Sequence, residues 1–204
     1  MIYLDNAATT PMSEKAAAEY VKYSCQSFFN PSATYVQAVD VAVKLNEVRE
    51  NIKKLLGAKK GDVIFTGGAT EANNLAIRGS VREGKWEYLF SAGEHASVDS
   101  LAHALQNEGK DVKLIPLARG GEVDYVALQN MVTPKTRLVS CMLVNSVTGS
   151  INDIARISKI VRKVAPKAII HVDGVQAFRK LNFSVDKMDV DLFSISAHKF
   201  HGSK

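Results

Sequence analysis

Lys199 stands just past an apolar run, Asp191-Leu-Phe-Ser-Ile-Ser196, with His198 beside it and Ser196 three residues before it. An amine held at the mouth of a core strand can form an imine with an aldehyde and then act as a general base. Upstream, Asp173 closes the run Ile169-Ile-His-Val-Asp173. A carboxylate in that place could pair with a pyridinium nitrogen and keep it protonated, or it could cap the segment that follows. Gln176, one turn on, could reach a phenolic oxygen, whereas His171 alternates with apolar positions and reads as structural. Amine, carboxylate and amide together suit Schiff-base chemistry with a phosphate-bearing aldehyde, pyridoxal 5'-phosphate.

Such a cofactor needs an anion site. Thr66-Gly-Gly-Ala-Thr70-Glu-Ala-Asn73 puts two glycines between an apolar run and a helical pattern. Free amides at a helix start, with the Thr70 hydroxyl, suit a phosphate; a plain strand-to-helix turn would read the same way. The stretch is neither GxGxxG nor a Walker loop, which counts against dinucleotides and nucleoside triphosphates. His95, in Ala92-Gly-Glu-His-Ala-Ser97, could stack on a flat ring and pass protons near neutral pH. Asn145, in Leu143-Val-Asn-Ser-Val-Thr-Gly149, could donate to a ring substituent or make a turn. The five histidines include no HExxH, no Ser/His/Asp set stands out, and no metal site is expected.

The elements that must position these groups follow from periodicity. A short extended start at 2–4 leads to a helix over 13–25 with Ser13 as N-cap. Val36, Val39, Val43, Val48, Ile52, Leu55 and Leu56 fall mostly on one face of a second helix, which Gly57 closes. Strands are predicted at 63–66, 88–91, 112–116, 138–144, 168–172 and 192–196. They alternate with helices through 81, over 97–108, over 124–131 and over 153–164. Continuous apolar strands alternating with amphipathic helices predict an α/β fold with a mostly parallel sheet covered by helices. Ligands in such sheets sit at the carboxyl ends of strands, where Gly67-Gly68, Asn145, Asp173 and Ser196 to Lys199 all fall. The division expected is an N-terminal arm with helices over 1–57 and the front of a cofactor-binding domain over 58–204.

With 46% hydrophobic and 23% charged residues the chain has an ordinary globular balance. Its net charge of +5 comes from scattered Lys and Arg, with no basic run to suggest nucleic acid. Cys25 and Cys141 are far apart and show no disulfide or metal spacing, which fits a reducing compartment. The opening Met1-Ile-Tyr-Leu-Asp5 has no signal-peptide pattern, and no apolar run is long enough to span a membrane. The expectation is a cytoplasmic protein.

These segments together resemble the cysteine desulfurase group of class V aminotransferases, fold type I pyridoxal-phosphate enzymes. The matching pieces are Tyr3-Leu-Asp-Asn-Ala-Ala-Thr-Thr-Pro11, Asn30-Pro-Ser32, Phe65-Thr-Gly-Gly-Ala-Thr-Glu71 with Asn74-Leu-Ala, Glu94-His95, His171-Val-Asp-Gly-Val-Gln176 and Ser196-Ala-His-Lys199. The resemblance implies that Lys199 carries the cofactor as a Schiff base and Asp173 pairs with the pyridine nitrogen. Gln176 would contact the phenolic oxygen and His95 would stack on the ring. Ala69, Thr70, Ser196 and His198 would surround the phosphate, and Asn145 would touch the ring. The activity implied is removal of sulfur from L-cysteine, giving alanine and an enzyme-bound persulfide. Members are typically homodimers and pass sulfur to an acceptor or an iron–sulfur scaffold protein.

The chain departs from the group's pattern at three places. Tyr35 follows Asn-Pro-Ser where a histidine is usual, Val147 stands where a glutamate is common, and Gly202-Ser-Lys204 replaces Gly-Pro-Lys-Gly. Tyr35 and Val147 leave room for a related enzyme with a different substrate, such as a selenocysteine lyase or an aminotransferase; a non-catalytic scaffold of the same fold that binds partners in sulfur or iron–sulfur assembly is a separate alternative. In the group the sulfur-accepting cysteine and the arginine that grips the substrate carboxylate lie downstream of the lysine. Neither Cys25 nor Cys141 matches the former in position. The 204 residues therefore correspond to an N-terminal part, expected to be inactive alone and prone to self-association.

Overall fold

A computed structural model describes residues 2–204. These form two compact units, one of residues 66–196 and the other of residues 2–65 with Ala197–Lys204.

The unit of residues 66–196 is built on five strands, β1 (Glu87–Ser91), β2 (Asp111–Ile115), β3 (Thr136–Met142), β4 (Ile169–Asp173) and β5 (Leu192–Ser194). All neighbouring pairs are parallel, in the order β2-β1-β3-β4-β5. Because the central strands are buried on both faces, each face needs its own helices. Tyr88 and Phe90 of β1 and Leu138 of β3 pack with Ile77 of α3 (Ala69–Ser80) and with Val98, Leu101 and Leu105 of α4 (Ala96–Asn107). The alternate residues, Leu89 and Val139, point the other way. They meet Leu128 of α5 (Tyr125–Met131) and Ile154, Ile157 and Val161 of α6 (Ile154–Val164). Asp124 and Asp153 cap α5 and α6 through their carboxylates. A short helix, α7 (Val185–Met188), precedes β5. At the sheet's centre His171 is fully buried, with Nδ1 2.9 Å from the Ser140 hydroxyl and Nε2 3.1 Å from that of Ser194. Burial lowers its pKa to about 4, which keeps the imidazole neutral.

In the other unit, α1 (Glu14–Cys25) starts at Ser13, whose hydroxyl accepts the Ala16 amide at 3.2 Å. The helix α2 (Val36–Leu56) ends at Gly57, which takes the left-handed conformation (φ 64°) that a helix C-cap requires. Its periodic apolar stripe is present but faces outward. Val36, Val39, Val43 and Leu55 are exposed, and Ala38 is the buried residue of the helix.

Several boundaries differ from those read in the sequence. The run Val63–Thr66 is not a strand; the Val63 carbonyl takes its hydrogen bond from Arg49 Nε at 3.3 Å, and Ile64 is exposed. The extended start at 2–4 is not expected to pair and does not; the Tyr3 hydroxyl folds back onto the carbonyls of Asp5 and Thr9. The strand predicted at 138–144 is β3, which starts and stops two residues earlier; Val144 instead bridges Ile151. The last strand ends at Ser194, and Ala197–Lys199 turns into a 3-10 helix. Among the described residues no helix is long and apolar enough to cross a membrane. Nor do three or more His, Cys, Asp or Glu side chains among them gather as metal ligands.

Candidate active site

Asp173 is the last residue of β4 and is 4% exposed. One carboxylate oxygen, Oδ1, accepts the Val175 amide at 3.0 Å; the other, Oδ2, accepts Asn73 Nδ2 at 3.0 Å. Among the described residues no Lys, Arg or His forms an ion pair with it. Glu94 also reaches this end of the sheet. Its Oε1 accepts the amide of Met142, whose strand partner is Asp173, while its Oε2 is buried and has no partner. Burial pushes the Glu94 pKa well above the usual carboxylate range, and the facing charge of Asp173 adds to the shift.

His95 caps α4. Its Nδ1 accepts the Ser97 amide at 3.1 Å and lies 2.9 Å from the Ser97 hydroxyl. Ser97 Oγ in turn lies 3.0 Å from Asn73 Nδ2. Asn73, Ser97, His95, Asp173 and Glu94 thus form one group at the carboxyl ends of β1, β3 and β4. Sequence reading assigned no role to Asn73, Ser97 or Glu94. The signal for Asn73 was a polar residue in register with Ile77 and Ser80, the other buried positions of α3.

The start of α3 lies in the same unit. Gly68 holds φ at 154°, a conformation open to glycine and strained for other residues, and Thr66 Oγ1 donates to its carbonyl. The first intrahelical bond runs from Ala72 N to Gly68 O, so the amides of Ala69, Thr70 and Glu71 precede it. Gly67 N is taken by Glu71 Oε2 at 2.6 Å. Asn145 proves to be a turn residue. Its Oδ1 accepts the amides of Val147 and Thr148, and its Nδ2 donates to Gly93 O at 3.0 Å. Gln176 Oε1 accepts Lys180 Nζ at 2.8 Å, and Ser196 is buried.

Lys199 and His198 belong to the other unit. Lys199 Nζ donates to the carbonyls of Ala7 (2.6 Å) and Ala8 (2.7 Å). His198 Nδ1 lies 3.0 Å from Thr9 Oγ1. Partial burial, then the charges of Lys199 and Lys204, lower its pKa. The segment Ala7–Thr10, one of the stretches that carried the sequence resemblance, therefore packs against the lysine turn.

Residues 2–204 match the aminotransferase class-V family. A cysteine desulfurase IscS of Dictyoglomus turgidum is 36% identical over 207 residues, covering all of this chain and 52% of that one. Among solved structures, a NifS-like protein superposes with a TM-score of 0.94 at 31% identity, covering all of this chain and 56% of that one. A second, described as SspA in complex with cysteine, gives a TM-score of 0.90 at 31% identity and is 59% covered. This chain spans about half the length of the curated relatives it matches. With a match that runs through all the described residues, and the parallel sheet expected of that fold, the chain belongs to the aminotransferase class-V family.

Proposed function

We propose that the intact protein is a pyridoxal-phosphate-dependent cysteine desulfurase, which takes sulfur from L-cysteine and leaves alanine. Asp173 is the observation that carries this reading: a buried carboxylate at a strand end, held by two N–H donors, with no cationic side chain among the described residues in an ion pair with it. Such a group fits a pyridine nitrogen that must stay protonated. The amides of Ala69, Thr70 and Glu71 at the start of α3 fit a phosphate. The relatives' names, and the cysteine in one neighbour's description, support the substrate.

When bound, the cofactor supplies an electron sink for the substrate's Cα. Lys199 Nζ would bind the cofactor's aldehyde carbon and later take the proton from Cα. Asp173 would hold the ring nitrogen's proton, and Ala69, Thr70, Ser196 and His198 would fix the phosphate. His95 would lie against the ring, with its own proton on Nε2, because the Ser97 amide and hydroxyl both face Nδ1. Gln176 and Asn145 would orient ring substituents; the latter's turn occupies its amide oxygen and one amide hydrogen, leaving one hydrogen for that role. The thiolate that receives sulfur is not Cys141, whose burial raises its pKa well above that of an ordinary thiol. Transfer onward to an acceptor or iron–sulfur scaffold protein, a homodimeric state and a reducing, cytosol-like compartment complete the proposal. The outward-facing Val36, Val39 and Val43 support the homodimer, and the two free cysteines support the compartment.

The test is borohydride reduction of the intact protein with pyridoxal phosphate, followed by peptide mapping and an assay for alanine formed from cysteine. A cofactor adduct on Lys199 with alanine production is expected. No adduct on Lys199, or an adduct without alanine, would overturn the assignment.

A further inference from the structure

Asn73 is fully buried in the middle of α3, and its amide nitrogen faces two acceptors, Ser97 Oγ and Asp173 Oδ2, each at 3.0 Å. A side-chain amide nitrogen has two hydrogens, so both are used. The reverse orientation would aim an amide oxygen at the Asp173 carboxylate, acceptor against acceptor. Asn73 Oδ1 is buried without a partner. Leaving a buried amide oxygen unmatched is costly, and an apolar residue of the same size would avoid that cost. The arrangement makes sense only if the two donated bonds are needed.

The direction of the remaining bonds follows. Ser97 Oγ accepts from Asn73, so its own hydroxyl proton is left for His95 Nδ1 at 2.9 Å, beside the Ser97 amide at 3.1 Å. With two donors aimed at Nδ1, the neutral imidazole carries its proton on Nε2. On the other side, an ionised Asp173 accepts from both Asn73 and Val175. Glu94 is a titratable group that also faces Asp173.

We propose that Asn73 is a positioning residue that couples the two cofactor-facing groups of this unit, holding Asp173 as an ionised acceptor and, through Ser97, fixing His95 in its Nε2–H form. This rests on the functional reading above, in which Asp173 meets the ring nitrogen and His95 lies against the ring. Asn73 itself touches neither substrate nor cofactor in this account. Loss of the donor leaves Asp173 Oδ2 unanchored, so the carboxylate can turn from the ring nitrogen and holds the ring proton less well. The ring then carries less positive charge, and the bound chromophore keeps its own ionisable proton to higher pH.

Two measurements on the intact protein test the coupling. In cofactor-free protein, nitrogen-15 NMR of His95 reads the tautomer directly; wild type and Ser97→Thr are expected to hold the proton on Nε2. Asn73→Leu and Ser97→Ala, which leave the Ser97 amide as the remaining fixed donor to Nδ1, should raise the share of the Nδ1–H tautomer above that of wild type. In protein loaded with pyridoxal phosphate, the pH titration of the visible band should move up by about one unit or more in Asn73→Leu and in the smaller Asn73→Ala. Folded Asn73 variants with both the tautomer and the titration unchanged overturn the proposal. Should Asn73→Leu fail to fold, the Ser97 pair decides the His95 arm and Asn73→Ala the Asp173 arm. If wild type takes up no cofactor, the functional reading falls, while the NMR arm still decides the coupling.

Discussion

The buried hydroxyl of Thr10 donates to the carbonyl of His198 at 2.8 Å, joining residues 188 positions apart. The same oxygen accepts the His201 amide at 2.7 Å, and the Thr10 amide also donates to His198 O. One side chain therefore clamps the turn that bears Lys199 on both sides. Thr10→Val keeps the shape but leaves the His201 amide without its acceptor, a loss of about 1–3 kcal/mol. Urea denaturation is expected to show that loss, with a lower yield of borohydride-trapped Lys199. A variant as stable as wild type would mean that the turn holds its place without the clamp.

Gly67 and Gly68 are adjacent, yet they should respond differently to alanine. Gly68 sits at φ 154°, where a side chain is strained, whereas a Cβ on Gly67 meets only the flexible end of Glu71. Gly68→Ala should cost about 1–3 kcal/mol and turn the first amides of α3. Cofactor affinity, read by fluorescence titration, should fall by about tenfold, which is about 1.4 kcal/mol. Gly67→Ala should stay within about threefold of wild type. Equal effects at the two positions would remove the special conformation of Gly68 from the explanation.

The contrast between these loops and the helices shows what the chain's letters carried. Ser13, Gly57, Asp124 and Asp153 act as caps through local geometry, so helix ends were legible from a few residues. The buried strands showed as continuous apolar runs, which require a sheet covered on both faces. Val63–Thr66 had the same composition and pairs with no strand, because pairing depends on a neighbour that no local pattern encodes. The stripe on α2 had helical period but no burial, for the same reason. Asp173, His95 and Lys199 stood out by type and position. Asn73 did not, since its importance lies in facing Asp173 one hundred residues away.

Glu94 should make the protein less stable as the solution becomes more alkaline. Its folded-state pKa lies well above that of the unfolded chain, because burial and Asp173 disfavour the charged form. The folded state therefore keeps a proton that the unfolded chain has released. Stability is full below about pH 4.3, the unfolded value, and is lost as pH rises toward the folded pKa. Glu94→Gln retains an acceptor for the Met142 amide without a charge to bury. Urea midpoints for Glu94→Gln should decline less than those of wild type between about pH 5 and 8, a range that lies between the carboxylate and thiol references. Parallel profiles would show that Glu94 ionises freely in the folded protein.

His171 predicts the opposite limb. Its pKa of about 4 in the folded protein lies below the unfolded value of about 6.5, since burial between Ser140 and Ser194 admits the neutral ring only. As pH falls through that window the unfolded chain gains a proton that the folded protein refuses. The linked loss is about 3 kcal/mol by pH 4. His171→Gln should be less stable at neutral pH, because it cannot bridge both hydroxyls, yet its stability should fall less steeply on acidification. Denaturation at a series of pH values separates the two effects, and NMR titration of His171 gives its pKa directly. A measured pKa near 6.5 would mean that water reaches the ring, and the sheet would then owe none of its acid sensitivity to this histidine.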